Sequence, residues 1–186
     1  MSDIDNDLVL RKLRSEVDMI DTAWSYYQTI YCNEENVTEW RASGASGFFE
    51  VLHRLLASEI IIRVARLFDP LEKKLKKDKL ENIVFRRFRS LGDDFDKRID
   101  AVEQWVHKPE GMRECRNKLN AHLDLATFEE RKAYLFPEFP KYLEEMKQLL
   151  QLASGKTGTP TTGTMSNQAD QLMLILHMHN VQRVKH

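Results

Sequence analysis

Arg116 and His122 stand six positions apart in the run Arg116-Asn117-Lys118-Leu119-Asn120-Ala121-His122-Leu123-Asp124. A guanidinium is permanently charged and can grip two phosphate oxygens with paired hydrogen bonds. An imidazole moves protons near neutral pH. Together the two groups suit breakage of RNA without a metal: the histidine assists attack of a 2′-hydroxyl on the neighbouring phosphorus, and the arginine stabilises the charge that develops there. On an ideal helix six positions span about 120° around the axis and about 9 Å along it. Arginine's reach, a loosening of the helix near His122, or a second copy of the chain must close that gap.

The neighbours have secondary uses. Asn117 can hydrogen-bond a phosphate or fix its helix against a neighbour, or it is simply exposed. Lys118 lies four before His122 and so shares its face, where a positive charge disfavours the imidazolium; its alternative is a solvated surface. Asp124 can orient the imidazole if the helix ends soon after His122, or it serves a cap or turn. Met112, Cys115, Leu119 and His122 recur at three, four and three, so His122 continues an apolar face. Taken alone, such a histidine is more often a packed core residue than a catalyst.

The Arg-x5-His run, opening Arg116-Asn117 and continuing Ala121-His122-Leu123-Asp124, resembles the signature of the HEPN superfamily, and is closest to its abortive-infection (AbiU-type) branch. The stretch Phe48-Phe49-Glu50-Val51-Leu52-His53, running through Ile61 to Asp69-Pro70, resembles that branch too. The resemblance covers roughly the first 150 residues. It implies a helical bundle, frequent dimerisation, and metal-independent ribonuclease activity in phage defence or toxin–antitoxin systems. It implies Arg116 and His122 as catalytic residues, with Asn117 and Asp124 in support. It also covers members that bind without cutting. Asp124 stands where another branch of the superfamily carries a tyrosine.

The elements that must position these residues read as helices. Leu10, Leu13, Val17, Ile20, Trp24, Tyr27 and Tyr31 make one apolar stripe on a helix over 5–31. Asn33 to Arg41 reads as a polar connection. A helix from Phe48 to Phe68 follows, its end enforced by Pro70, with an apolar surface broad enough for burial on more than one side. Within it Glu59, Arg63 and Arg66 form a polar stripe, read either as a surface Glu59–Arg63 pair or as a support facing the Arg116/His122 site.

Leu80, Ile83, Val84, Phe88 and Leu91 suggest another amphipathic helix ended by Gly92. Asp93 is placed to cap the next, whose inner face is Phe95, Ile99, Val102, Trp105 and Val106. Pro109 suits the first turn of the motif helix, and Thr127 to Glu130 match a capping box. Phe139, Tyr142, Leu143, Met146, Leu149 and Leu150 line a final helix. The domains expected are a bundle over 1–153, a small-residue linker over 154–167, and a C-terminal helical segment over 168–186, where the dense apolar cluster Leu172 to Val181 also fits a strand.

With 186 residues, 42% hydrophobic and 31% charged, the chain can bury a full core. Its net charge of −1 is uneven: residues 1–50 carry 4 basic and 10 acidic side chains, and residues 51–100 carry 13 and 9. Nucleic-acid contact is therefore local, with Lys73, Lys74, Lys76, Lys77, Lys79, Arg86, Arg87 and Arg89 the basic candidates beside a plain reading as solvated charges. Cys32 and Cys115 are too few and too far apart for a disulfide framework or zinc site, which suits a reducing cytoplasm. The acidic amino terminus is not a secretory signal, and Arg63 and Arg66 interrupt the longest apolar stretch, arguing against a membrane span.

No cofactor or metal is expected. Gly155-Lys156-Thr157 lacks the first glycine of a phosphate loop and follows a helix. His177, His179 and His186 have no cysteine or carboxylate near to complete a shell. The expected function is a cytoplasmic, metal-independent endoribonuclease of a phage-defence or toxin–antitoxin system, acting on RNA, dimeric, and held by an antitoxin in the paired case. The runner-up is a non-catalytic helical module that binds RNA or protein.

Overall fold

A computed structural model describes residues 5–74, 79–89, 91–109, 111–122 and 137–157, with backbone alone at 72–74, 79–81, 118–122 and 156–157. The fold is an all-α helical bundle. Its helices among the described residues are α1 (Asn6–Tyr31), α2 (Glu34–Ala42), α3 (Ser46–Leu67), α4 (Asp93–His107), α5 (Met112–His122) and α6 (Phe139–Thr157). A small antiparallel hairpin, β1 (Glu72–Lys74) and β2 (Lys79–Glu81), pairs Lys73 with Leu80.

The described chain divides into two compact units, one of residues 5–19 with 61–157 and one of residues 20–60. In the first, Leu10, Leu13 and Val17 of α1 are buried as their spacing requires, and so are Ile61, Val64, Ala65, Leu67 and Phe68 of α3. All five residues expected on the inner face of α4 are buried, and α4 packs on α5 and α6. Trp105 anchors that contact, its ring stacked on Tyr142 with centroids 4.2 Å apart. Arg86 and Arg89 pair with Glu103, Arg89 also with Asp100, and Arg87 donates to Asn6, so these three basic candidates are bound into the fold.

In the second unit Ile30, Trp40 and Phe49 form the core, with Tyr31, Val37, Ala45 and Leu52 against it. Burial raises the Tyr31 phenol, so it stays protonated and donates to the Phe49 carbonyl at 2.6 Å. Tyr27 and His53 are joined at 3.0 Å between hydroxyl and Nε2. The breadth expected of α3 is only partly used. Phe48, Val51 and Leu55 are 61%, 54% and 62% exposed, a stripe at three and four.

Several local expectations are corrected. Residues 34–42 are helical because Asn33 caps them, its side chain accepting from the amides of Glu35 and Asn36, while Trp40 is buried. Among the described residues of 80–91 there is no α-helix; after β2 the chain is extended at Val84 and then makes one 3-10 turn, Phe85–Phe88. Gly92, at φ 139°, starts α4 instead of ending a helix, and Asp93 lies in the first turn. α6 continues to Thr157, so Ser154, assigned by composition to the linker, is buried and accepts from Arg14 at 2.8 Å. The expected capping box at 127–130 and the segment 168–186 lie outside the described residues.

Candidate active site

The motif helix is set by a tight corner. Lys108, forced extended by the following proline, ends α4. Pro109 thus precedes α5 and does not begin it. The Gly111 amide donates to the Lys108 carbonyl at 2.8 Å, and the Gly111 carbonyl accepts from Cys115 at 3.0 Å. A Cβ on Gly111 would stand 2.6–2.9 Å from the carbonyl oxygens of Val106, Lys108 and Trp105. Only glycine fits there. Met112 and Cys115 then turn inward and are buried, as the apolar spacing requires.

One residue further on, Arg116 meets α3. Its Nη1 donates to both oxygens of Asp69, at 2.9 and 2.8 Å. The two side chains are 15% and 23% exposed. Nη2 reaches the Oδ1 of the exposed Asn117 across a long 3.4 Å. Asp69 lies two residues past the end of α3 and precedes Pro70, and its own amide bonds the Arg66 carbonyl at 3.2 Å. A carboxylate at a helix C-terminus opposes the helix dipole, so it needs a cation to stay there, and Arg116 supplies one.

Beside this pair stands His107, at the end of α4. A carbonyl only accepts, so the 3.2 Å contact between His107 Nε2 and the Phe68 oxygen makes Nε2 the protonated nitrogen. Burial lowers the His107 pKa, and Arg113 and Arg86 lower it further. The imidazole thereby resists protonation where it donates to the carbonyl of the residue just past the end of α3.

Arg63 points to α1, where its Nη1 bonds Glu16 at 2.8 Å. Glu59, half-buried on α3, belongs to the second unit. Lys118 and His122 lie within α5 by backbone, with His122 its last residue, and their side chains are outside the described residues, as is Asp124 altogether. Sequence reasoning does not name Asp69 or His107 as site residues. Asp69 enters it only as the end of the second resembling stretch, at an unfavourable place beside proline; nothing in the local pattern marks His107. Among the described residues no group of three metal-ligating side chains occurs, and no helix is long and apolar enough to cross a membrane.

Compared with known proteins, residues 6–168 match the family model described as HEPN_AbiU2, AbiU2. No curated protein and no solved structure matches the chain.

Proposed function

The chain belongs to the AbiU2 family of HEPN-like abortive-infection proteins, and on that premise we propose that it is a metal-independent endoribonuclease acting in phage defence or as the toxin of a toxin–antitoxin pair. His122 takes the proton of an RNA 2′-hydroxyl. The 2′-oxygen then bonds to the adjacent phosphorus as the bond to the 5′-oxygen breaks, leaving a cyclic phosphate and, once the departing oxygen takes a proton from water, a free 5′-hydroxyl. Arg116 neutralises the charge on the non-bridging oxygens. Asn117 assists at the phosphate, the positive charge of Lys118 disfavours the imidazolium of His122, Asp124 orients the imidazole, and Glu59 and Arg63 act in support of the site.

The observation that carries this reading is the fixed guanidinium. Electrostatic catalysis needs a charge already in place, with no reorganisation during reaction. Arg116 is tethered on a helix whose start admits no slack. The working form is a cytoplasmic homodimer in which two motifs share one cleft, which also answers the angular gap between Arg116 and His122.

One observation favours the second reading, a non-catalytic module that binds a protein: the exposed stripe Phe48, Val51 and Leu55. Incubating RNA with purified protein in chelator, beside His122→Ala, separates the two. Cleavage by the wild type that falls about 10²–10⁴-fold in the variant supports the nuclease. Intact RNA with both proteins removes it.

A further inference from the structure

We propose that Asp69 is a positioning residue for Arg116: its carboxylate sets the guanidinium so that one edge is left to meet the scissile phosphate. This inference rests on the ribonuclease reading and adds to it a residue 47 positions from the motif arginine.

The division of hydrogen bonds is the argument. Both Asp69 oxygens are taken by Nη1 alone, at 2.9 and 2.8 Å. The carboxylate therefore uses one corner of the guanidinium and stays off the edge formed by Nε and Nη2, where the described contact is the long 3.4 Å one from Nη2 to the Oδ1 of exposed Asn117, which a phosphate oxygen can displace. That edge carries two parallel N–H groups, the arrangement that grips two oxygens of a phosphate. A carboxylate bound across Nε and Nη2 would have competed with substrate. Placed on Nη1, it complements substrate instead.

Asp69 is itself well fixed. The following Pro70 excludes helical geometry at position 69. The Asp69 amide bonds Arg66 at 3.2 Å, and the preceding Phe68 carbonyl is held by His107. The pair is also partly withdrawn from water, at 15% and 23% exposure, so its geometry is more definite than that of a freely solvated ion pair. These features convert a flexible arginine into a charge at a defined place. A displacement of about 1 Å at such a group costs about 10²-fold in rate.

The test measures kcat and KM for RNA cleavage, with thermal melts, in Asp69→Asn, Asp69→Glu, Arg116→Ala and the Asp69→Asn/Arg116→Ala double variant of the full chain. Asp69→Asn is expected to lower kcat about 10–100-fold with little change in KM. Asp69→Glu keeps the charge and the ion pair, hence the melting temperature, but displaces the guanidinium; its kcat is expected to fall similarly. The double variant should be no worse than Arg116→Ala, because Asp69 acts only through that arginine.

Asp69→Glu at full activity would overturn the proposal, showing a merely structural ion pair. Asp69→Asn at or above wild-type rate would also overturn it, because the carboxylate would then be neutral toward substrate or competing with it. Should Asp69→Asn fail to fold, Asp69→Glu decides alone. If Arg116→Ala cleaves as well as wild type, the ribonuclease mechanism itself falls and takes the role of Asp69 with it; that failure is distinguishable because it does not depend on position 69.

Discussion

His107 donates its Nε2 proton to the carbonyl of Phe68 at 3.2 Å, one residue before the carboxylate that holds Arg116. The end of α4 thus secures the end of α3 at the point where the candidate site is anchored.

That contact makes stability pH-dependent in a definite direction. The folded His107 has a pKa below its ordinary 6.5, first through burial and then through Arg113 and Arg86. As pH falls through 6.5 the unfolded chain takes up the proton before the folded one, so its stabilising contribution is present above that value and lost as pH descends toward the lowered folded pKa. The melting temperature is expected to decline over this window more steeply in wild type than in His107→Gln. Parallel melting curves for the two proteins would remove this role.

Asn33→Ala tests the helix that composition concealed. Its side chain satisfies two orphan amides of α2, at 2.9 and 3.2 Å. Loss of such a cap costs about 1 kcal/mol. Denaturant titration should show a lower midpoint at unchanged slope, and no shift would mean that the packing of Val37 and Trp40 holds α2 without the cap.

Gly155→Ala should stabilise. The residue is exposed within α6, and a Cβ there meets nothing within 4 Å. Alanine removes the backbone entropy of glycine, a gain of about 0.5–1 kcal/mol. A destabilised variant would show that α6 does not extend this far in solution.

Mixing inactive chains tests the shared cleft. If Arg116 and His122 of opposite chains make one site, an Arg116→Ala chain mixed with a His122→Ala chain regains about a quarter of the wild-type sites, through mixed dimers with one intact pair each. No recovery, with dimers visible by light scattering, would place both residues of a site in one chain. A fully active monomer would end the idea.

Much of the fold was legible because burial imposes a period. The inner face of α4 is legible residue by residue, and Leu10, Leu13 and Val17 mark the buried side of α1. Where a few residues decide, period fails. Phe85 and Phe88 are both buried and three apart, a spacing shared by an α-helix and the 3-10 turn they actually form. α2 depends on one cap and on Val37 and Trp40, too little apolar surface to make a long stripe. The motif positions of Arg116 and His122 are readable as a local pattern, but Asp69 is not. Its partner lies 47 residues away, and only the packed helices bring them together.

The corner at Gly111 works as a protractor for the chemistry that follows it. Each residue of α5 advances the helix by about 100°, so the bearing of Arg116 is decided five residues upstream, where three carbonyl oxygens crowd the glycine. One residue inserted between Gly111 and Arg116 would swing the guanidinium about 100° away from Asp69. The same insertion after Arg116 would leave the arginine on its carboxylate and rotate only His122. The two halves of the motif therefore have unequal tolerance to changes in length: the arginine is tied to the corner before it, whereas the histidine's bearing depends on the spacer between them.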